Sequence, residues 1–295
     1  DNLELFEILR DRQKPTIALG MGEFGTMSRI LAPKFGGLLT FATLRSESTT
    51  APGQPTIDEL LNLYRFRSIK ASTKVYGIIG WPITQSMSPL VHNAGFEAIG
   101  WDGVYVPMPI EGSYESLKAT VLSLIDQTDI DFVGASVTIP HKAHLFHLAA
   151  DENYLDSAEV DAVAASNTYA YDGTSRVYNT DVFAINSLIQ QYCPKKEAVI
   201  LGGGGVAHAA AHAASQQFEL VSIFTRKPSQ SLGLALTLRD HPETEKSELH
   251  TGVWDEIKFT QANLYINCTP VGMTGGPDPD GLSIPIPDMP PLPPE

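Results

Sequence analysis

The sequence predicts an α/β protein, and three observations carry that expectation. A strand-to-helix glycine turn lies at residues 198–211, AVILGGGGVAHAAA; apolar runs of strand length alternate with helix-period segments from Lys74 onward; and the first 69 residues read strand, helix, strand, helix. In the glycine turn, the apolar run at 198–201 feeds Gly202, Gly203, Gly204 and Gly205, and then Val206 and Ala207 at the start of an alanine-rich helix. Backbone N–H groups in such a turn approach a pyrophosphate, and the helix dipole favours its charge, so these six residues are the candidate dinucleotide site. A glycine run after a strand also makes ordinary tight turns, and the rest of the chain must separate the two readings.

The chain has 295 residues, room for two domains of ordinary size, and its 43% hydrophobic and 18% charged composition is globular. The 34 acidic against 20 basic residues give a formal charge of −14, which argues against nucleic acid and anionic membrane surfaces as partners. Two cysteines, Cys193 and Cys268, cannot build a disulfide framework and fit a reducing compartment. No apolar run has the length of a membrane span.

In the first 69 residues, TIALGM at 16–21 and LLTFATL at 38–44 are strand-like, 28–33 is a short helix, and 57–64 is a helix with Ile57, Leu60, Leu61 and Tyr64 on one face. The stretches MGEFGTMSRILAPKFGGLLTF and TAPGQPTIDELLNLYRF resemble the C-terminal end of a type I 3-dehydroquinate dehydratase (β/α)8 barrel. The resemblance implies that Arg29 and Gln54 hold the substrate's carboxylate and hydroxyls, with Thr50 supplying a hydroxyl where the family usually has Ser. A guanidinium fork suits a carboxylate, although Arg29 also reads as a cap on its own helix. The family's Schiff-base Lys and its His partner have no counterpart in this stretch, so it is expected to be inactive in dehydration.

A polar linker at 70–73 leads to a second domain over 74–190. KVYGIIG is a strand, and GWPITQSMSPLVHNAGF brings Ser86 and Ser88 together ahead of Pro89, which sits in the first turn of a helix. Two hydroxyls and free helix N–H groups suit a carboxylate, or Ser88 is simply an N-cap. Residues 103–107 form a strand, 114–125 a helix, and 132–137 a third strand that runs through Thr138 to Lys142 at the start of another helix. A Lys at a helix N-terminus opposes the dipole and suggests a function, with a solvated surface Lys as the alternative. His141, His144 and His147 drift around that helix rather than sharing a face, and His208 and His212 lack the HExxH context, so no metal site is expected. A helical, acid-rich connection occupies 149–160. Residues 166–170 and 176–178 flank the turn at Asp172-Gly173 as a hairpin with Asn167 in its first strand, and Asp181 starts the next helix as an expected cap.

Taken together, GWPITQSMSPLVHN, GASVTIPHK, SNT, NTD, the glycine turn and NCTPVGM at 267–273 resemble shikimate dehydrogenase in motif order and spacing. The order of the two resemblances is similar to the bifunctional 3-dehydroquinate dehydratase/shikimate dehydrogenase family. This implies NADPH-dependent reduction of 3-dehydroshikimate to shikimate, by an α/β substrate domain followed by a Rossmann-like NADP domain at 191–295. By motif, Lys142 and Asp181 are the catalytic pair, Ser86 and Ser88 hold the carboxylate, Thr138 and Asn167 join in binding ring hydroxyls, and Thr269 lies on the cofactor side. The strand at 220–224 runs into Thr225, Arg226 and Lys227. Cations without an acid at that strand end favour NADP over NAD, with a solvent-facing basic loop as the alternative.

Ala164, Val177 and Ala184 stand where the family usually has glycine, and His208 stands where it commonly has Arg, which implies a weaker, pH-dependent phosphate contact. Residues 275–295, rich in Pro and Asp, read as loop. The family's later strands and its Gln-bearing helix have no counterpart after them, so the chain reads as a fragment, impaired or inactive in reduction. The other readings are a non-catalytic ligand-sensing regulator and a quinate dehydrogenase. The compartment is the plastid for a plant source and the cytoplasm for a bacterial one.

Overall fold

In a computed structural model the apolar runs from Lys74 onward become strands and the helix-period segments become helices; residues 2–45, 47, 51, 53–155, 158–191, 196–240, 247–254, 257, 262–273 and 278–281 are described. The chain divides into one unit of Asp1–Tyr154 with Asn167–Val177, and another of Leu155–Ser166 with Tyr178–Glu295. These units cut the chain elsewhere than the expected boundaries at 69/74 and 190/191.

The first unit opens with a helix that is not among the expected elements, α1 (Asn2–Arg10), which buries Phe6 and Leu9 completely. Phe6 stacks on Phe35 with ring centroids 4.2 Å apart, and burying such a ring stabilises by about 2–3 kcal/mol. α2 (Thr26–Leu31) begins two residues before the expected helix. The strands expected at 16–21 and 38–44 do not form. One bond, from Leu38 N–H to Thr16 C=O (2.9 Å), joins the two segments, and Thr43 makes an isolated bridge to Thr56; extended chain without a full row of ladder partners is not a sheet. The helix expected at 57–64 starts on a capping box. Thr56 N–H donates to Glu59 Oε2 (2.7 Å) and Glu59 N–H to Thr56 Oγ1 (3.1 Å). It then widens into a π turn at Glu59–Leu63, so Leu60 and Tyr64 are buried while Ile57 swings out to 43% exposure.

Lys34 fastens this N-terminal stretch to the residues just ahead of the strands at 74–80 and 132–137. Its ammonium, 1% exposed, donates to Ala71 C=O (2.6 Å), Thr73 C=O (3.0 Å) and Asp131 Oδ2 (3.0 Å). Lys74 holds the other oxygen of Asp131 at 2.6 Å. Burial opposes ionisation of Asp131, but the hydrogen bonds and charges of Lys74 and Lys34 prevail and keep its carboxyl below the usual range.

The first unit's sheet is built on β1 (Lys74–Gly80), which pairs in parallel with β2 (Gly103–Pro109) on one side and β3 (Phe132–Val137) on the other. The hairpin of β4 (Thr168–Tyr171) and β5 (Ser175–Tyr178) extends it antiparallel, giving the order β2-β1-β3-β4-β5. The crossovers run through α3 (Ser88–Ala98) and α4 (Tyr114–Asp126), and α5 (Lys142–Asp151) comes after β3. The acid-rich connection expected at 149–160 is not one helix, because α5 ends at Asp151.

The second unit begins with α6 (Ala158–Val163) and α7 (Thr180–Ile189), then β6 (Glu197–Leu201), α8 (Gly205–Ser215) and β7 (Leu220–Thr225). α9 (Pro228–Arg239), β8 (Glu248–Val253) and β9 (Leu264–Asn267) complete it without having been expected. The four strands are parallel in the order β8-β7-β6-β9. Alanines at 207, 210, 211 and 214 have no exposed surface and let α8 lie close against Ile200, Val221 and Ile223. The loop expected at 275–295 lies outside the described residues except for 278–281. Among the described residues no helix is long and apolar enough to cross a membrane.

Candidate active site

In the first unit the polar candidates gather at the carboxyl ends of β1 and β3. Gly80 makes this possible: a methyl group there would overlap Thr138 Cγ2 and meet Ile139 O at 2.8 Å and Ile83 Cγ2 at 3.0 Å. Trp81 N–H donates to Ile139 C=O (2.8 Å) and Thr138 N–H to Ile79 C=O (2.9 Å), so the turn bearing the serines and the turn bearing Thr138 are laced together. Ser86 N–H closes its turn on Ile83 C=O (3.0 Å), and its Oγ accepts from Ser88 N–H at 3.2 Å. Ser88 is therefore the first residue of α3 rather than its cap, which is Met87. On the other side Asn167, one residue short of β4, accepts from Val137 N–H (2.7 Å) and carries its amide oxygen 3.0 Å from Thr168 Oγ1. Lys142 is the half-buried first residue of α5.

His141 fixes the approach to Lys142. It is fully buried, its N–H donates to Thr138 C=O (2.8 Å), Nε2 meets Ile110 C=O at 2.7 Å, and Nδ1 meets His144 Nδ1 at 3.0 Å. Burial lowers its pKa against the opposing bond to Ile110, so the ring is neutral, donating from Nε2 and accepting at Nδ1. Among the described residues no group of three or more His, Cys, Asp or Glu could hold a metal ion.

In the second unit, Asp181 is the second residue of α7 and does not cap it. Asn179 does so, accepting from Asp181 N–H (3.1 Å) while its own amide donates to Ala165 C=O (2.8 Å). The glycine turn occupies the place where the strand order reverses, between β6 and β9, which is where open parallel sheets bind their ligands. Gly202 has φ +119, and a Cβ there would come within 2.9 Å of Cys268 C=O, so only glycine fits. Gly204 precedes α8 with no side-chain cap and open space beside it. The first N–H groups of α8 therefore have no side-chain cap in the way of an anion. Ala207 faces the core and Val206 is 37% exposed, so they offer backbone and an apolar edge rather than a polar side chain. Thr269 is held by Asn267 Oδ1, which accepts from its N–H (2.9 Å) and its hydroxyl (2.7 Å).

At the end of β7, Thr225 is buried and its hydroxyl donates to Lys227 C=O (2.6 Å), shaping the loop, while Arg226 and Lys227 are exposed. The phosphate contact expected of His208 is not what holds its ring. Its Nδ1 lies 3.0 Å from Val163 C=O, and burial lowers its pKa against that bond, so a neutral His208 ties α8 to the end of α6. Of the three unusual non-glycines, Ala164 alone has positive φ, at 50°.

In the N-terminal stretch Arg29 is 3% exposed, its guanidinium reaches Met21 Sδ at 3.4 Å, and its Nε has no hydrogen-bond partner among the described residues; burial lowers its pKa. It does not act as a cap through any described bond to its own helix. The loop before Gln54 is fastened to the first residue of α2 by Thr26 Oγ1 donating to Gly53 C=O (3.2 Å). Thr50 lies outside the described residues.

The Type I 3-dehydroquinase family model matches residues 1–71 and the shikimate dehydrogenase substrate binding domain model matches residues 78–168. A shikimate dehydrogenase (NADP(+)) of Citrifermentans bemidjiense is 35% identical over 218 residues, 70% of this chain and 71% of the relative. The chain belongs to the shikimate dehydrogenase family. Its N-terminal dehydroquinase segment is shared with the chloroplastic bifunctional 3-dehydroquinate dehydratase/shikimate dehydrogenase of Arabidopsis thaliana, 38% identical over 270 residues, 82% of this chain and 43% of that protein. The chain thus spans less than half the length of this bifunctional relative. A solved shikimate dehydrogenase in complex with NADP+ matches with a TM-score of 0.57 at 29% identity, covering 70% of this chain and 69% of that one.

Proposed function

We propose that the chain carries the NADPH-dependent reduction of 3-dehydroshikimate to shikimate. The observation that supports it most is the lacing of the two turns at Gly80, which joins the turn that carries Ser86 to the turn that carries Thr138 and leads into the helix starting at Lys142. Serine hydroxyls with helix N–H groups suit the carboxylate, and Thr138 and Asn167 suit ring hydroxyls. Lys142 and Asp181 are assigned to the reacting oxygen, whose developing charge needs a hydrogen-bond donor and a proton. NADPH supplies the hydride. The residues at the switch point fit it: a turn only glycine can make, an N-terminus without a side-chain cap, and Arg226 and Lys227 exposed where an adenosine 2′-phosphate would need cations.

Arg29, Thr50 and Gln54 are assigned to the substrate carboxylate and hydroxyls of the dehydratase half, a role consistent with a buried guanidinium whose Nε has no described partner. The relative from Arabidopsis thaliana is chloroplastic, and a plastid is the compartment proposed for a plant source. The test is oxidation of shikimate with NADP+, followed by absorbance of the reduced cofactor, alongside quinate and NAD+. Lys142→Ala and Asp181→Ala should each slow turnover by about 100-fold or more with the melting temperature kept. Turnover equal to the parent in either variant removes that residue from the mechanism, and preference for quinate overturns the substrate.

A further inference from the structure

Tyr105 lies in β2 with 2% exposure and every part of it except the hydroxyl is accounted for. The side chain of Asn93, itself buried, grips its backbone from α3, donating to Tyr105 C=O (2.8 Å) and accepting from Tyr105 N–H (2.9 Å). His92 stacks on the ring, with centroids 4.3 Å apart and planes 6° from parallel. Ile78 and Ile83 pack with it in one apolar cluster. The hydroxyl ends up beside Ser88 and Ser136, at hydrogen-bonding geometry with neither.

A buried hydroxyl with no bond is a net loss to folding, and phenylalanine would fill the same space without it. Of the two serines beside it, Ser136 lies within β3 and Ser88 is one of the two assigned to the substrate carboxylate. We propose that Tyr105 is a positioning residue for Ser88. When a carboxylate binds, the phenol O–H donates to Ser88 Oγ, and the serine, its acceptor side occupied, turns its own proton to the carboxylate. A serine hydroxyl both donates and accepts, so a donor behind it commits it to donate forward. Hydrogen bonds of this kind are commonly long before the ligand arrives. Burial raises the phenol's pKa, which keeps the proton on the oxygen that must donate it. The inference rests on the carboxylate assignment of Ser88.

The test is shikimate binding by calorimetry for Tyr105→Phe, Ser88→Ala and the double variant, with melting temperatures and the kinetic constants for shikimate. Tyr105→Phe should weaken binding about five-fold, as loss of one ordinary hydrogen bond does. It should raise KM with kcat unchanged, and leave the melting temperature equal or higher because no bond of the free protein is lost. In the Ser88→Ala background it should add nothing. Unchanged affinity in Tyr105→Phe while Ser88→Ala weakens binding overturns the proposal and leaves the Ser88 assignment standing. Losses that multiply in the double variant overturn it as well, since Tyr105 would then act independently of Ser88. Unchanged affinity in Ser88→Ala overturns the assignment and the proposal together.

Discussion

Ala164→Gly should stabilise the protein, against the usual sign of that substitution. Ala164 comes directly after the last residue of α6 with φ +50 and donates its N–H back to Val160 (3.1 Å) and Asp161 (3.2 Å), a left-handed helix end of the kind glycine usually occupies. A side chain there costs about 1–2 kcal/mol. Glycine regains that, less about 0.5 kcal/mol for the freer unfolded chain and about 0.4 kcal/mol for a half-buried methyl, a net gain centred near ~0.6 kcal/mol. Ala162, two residues back within α6 and 3% exposed, is the control. Its replacement by glycine should lose about 1 kcal/mol in propensity and more in burial. Urea unfolding at constant slope would read the two shifts as midpoints moving in opposite directions. If Ala164→Gly lowers the midpoint as Ala162→Gly does, the left-handed strain does not exist and the reasoning fails.

Other expectations are as direct. Lys34→Met should destabilise the first unit by about 3 kcal/mol, because it leaves Asp131 half-buried with one cation and two carbonyls without their donor; a midpoint within 0.5 kcal/mol of the parent, roughly the spread of ordinary surface substitutions, would contradict this. Because burial lowers the folded pKa of His208 and His141 below the unfolded value, the unfolded chain binds more protons. Their contribution is present above about pH 6.5 and is lost as pH falls through the lowered folded values, at up to about 1.4 kcal/mol per pH unit for each ring. His208→Asn, whose amide can still donate to Val163, should flatten that acid limb of the stability curve, and an unaltered limb would exclude His208. Arg226→Ala should raise KM for NADPH about ten-fold or more with little change for NADH, and equal effects on both would exclude a phosphate contact.

Much of the fold was legible because burial on both faces leaves continuous apolar runs: β1, β3 and β6 read directly, and each candidate site residue of the two sheets sits just past such a run or on the adjoining hairpin or helix start. What was missed has physical causes. α1 carries Leu3, Leu5, Phe6, Ile8 and Leu9 at helical spacing, a signal only nine residues long, and α9 lies between the polar stretches 225–227 and 240–247, the second of which leads into β8. The segments 16–21 and 38–44 have strand composition, but a strand is a property of its neighbours as much as of itself. Asp181 was read as the cap because Asp and Asn both serve there, and side-chain direction, invisible in sequence, chose Asn179. Gly80 and Tyr105 act through close approach between elements far apart in the chain, which no local pattern announces.

The ammonium of Lys34 bears on how this chain comes apart. One family model ends at residue 71 and the other begins at residue 78, yet the three acceptors of Lys34 are Ala71, Thr73 and Asp131, on the far side of the seam or at it. Severing and separating the chain between 69 and 74 would leave the Lys34 ammonium without its acceptors on one piece and Asp131 with Lys74 as its one remaining cation on the other. Ancestry places a joint here that cooperativity does not recognise: residues from both families should melt in one calorimetric transition, with van't Hoff and measured enthalpies in agreement across the seam.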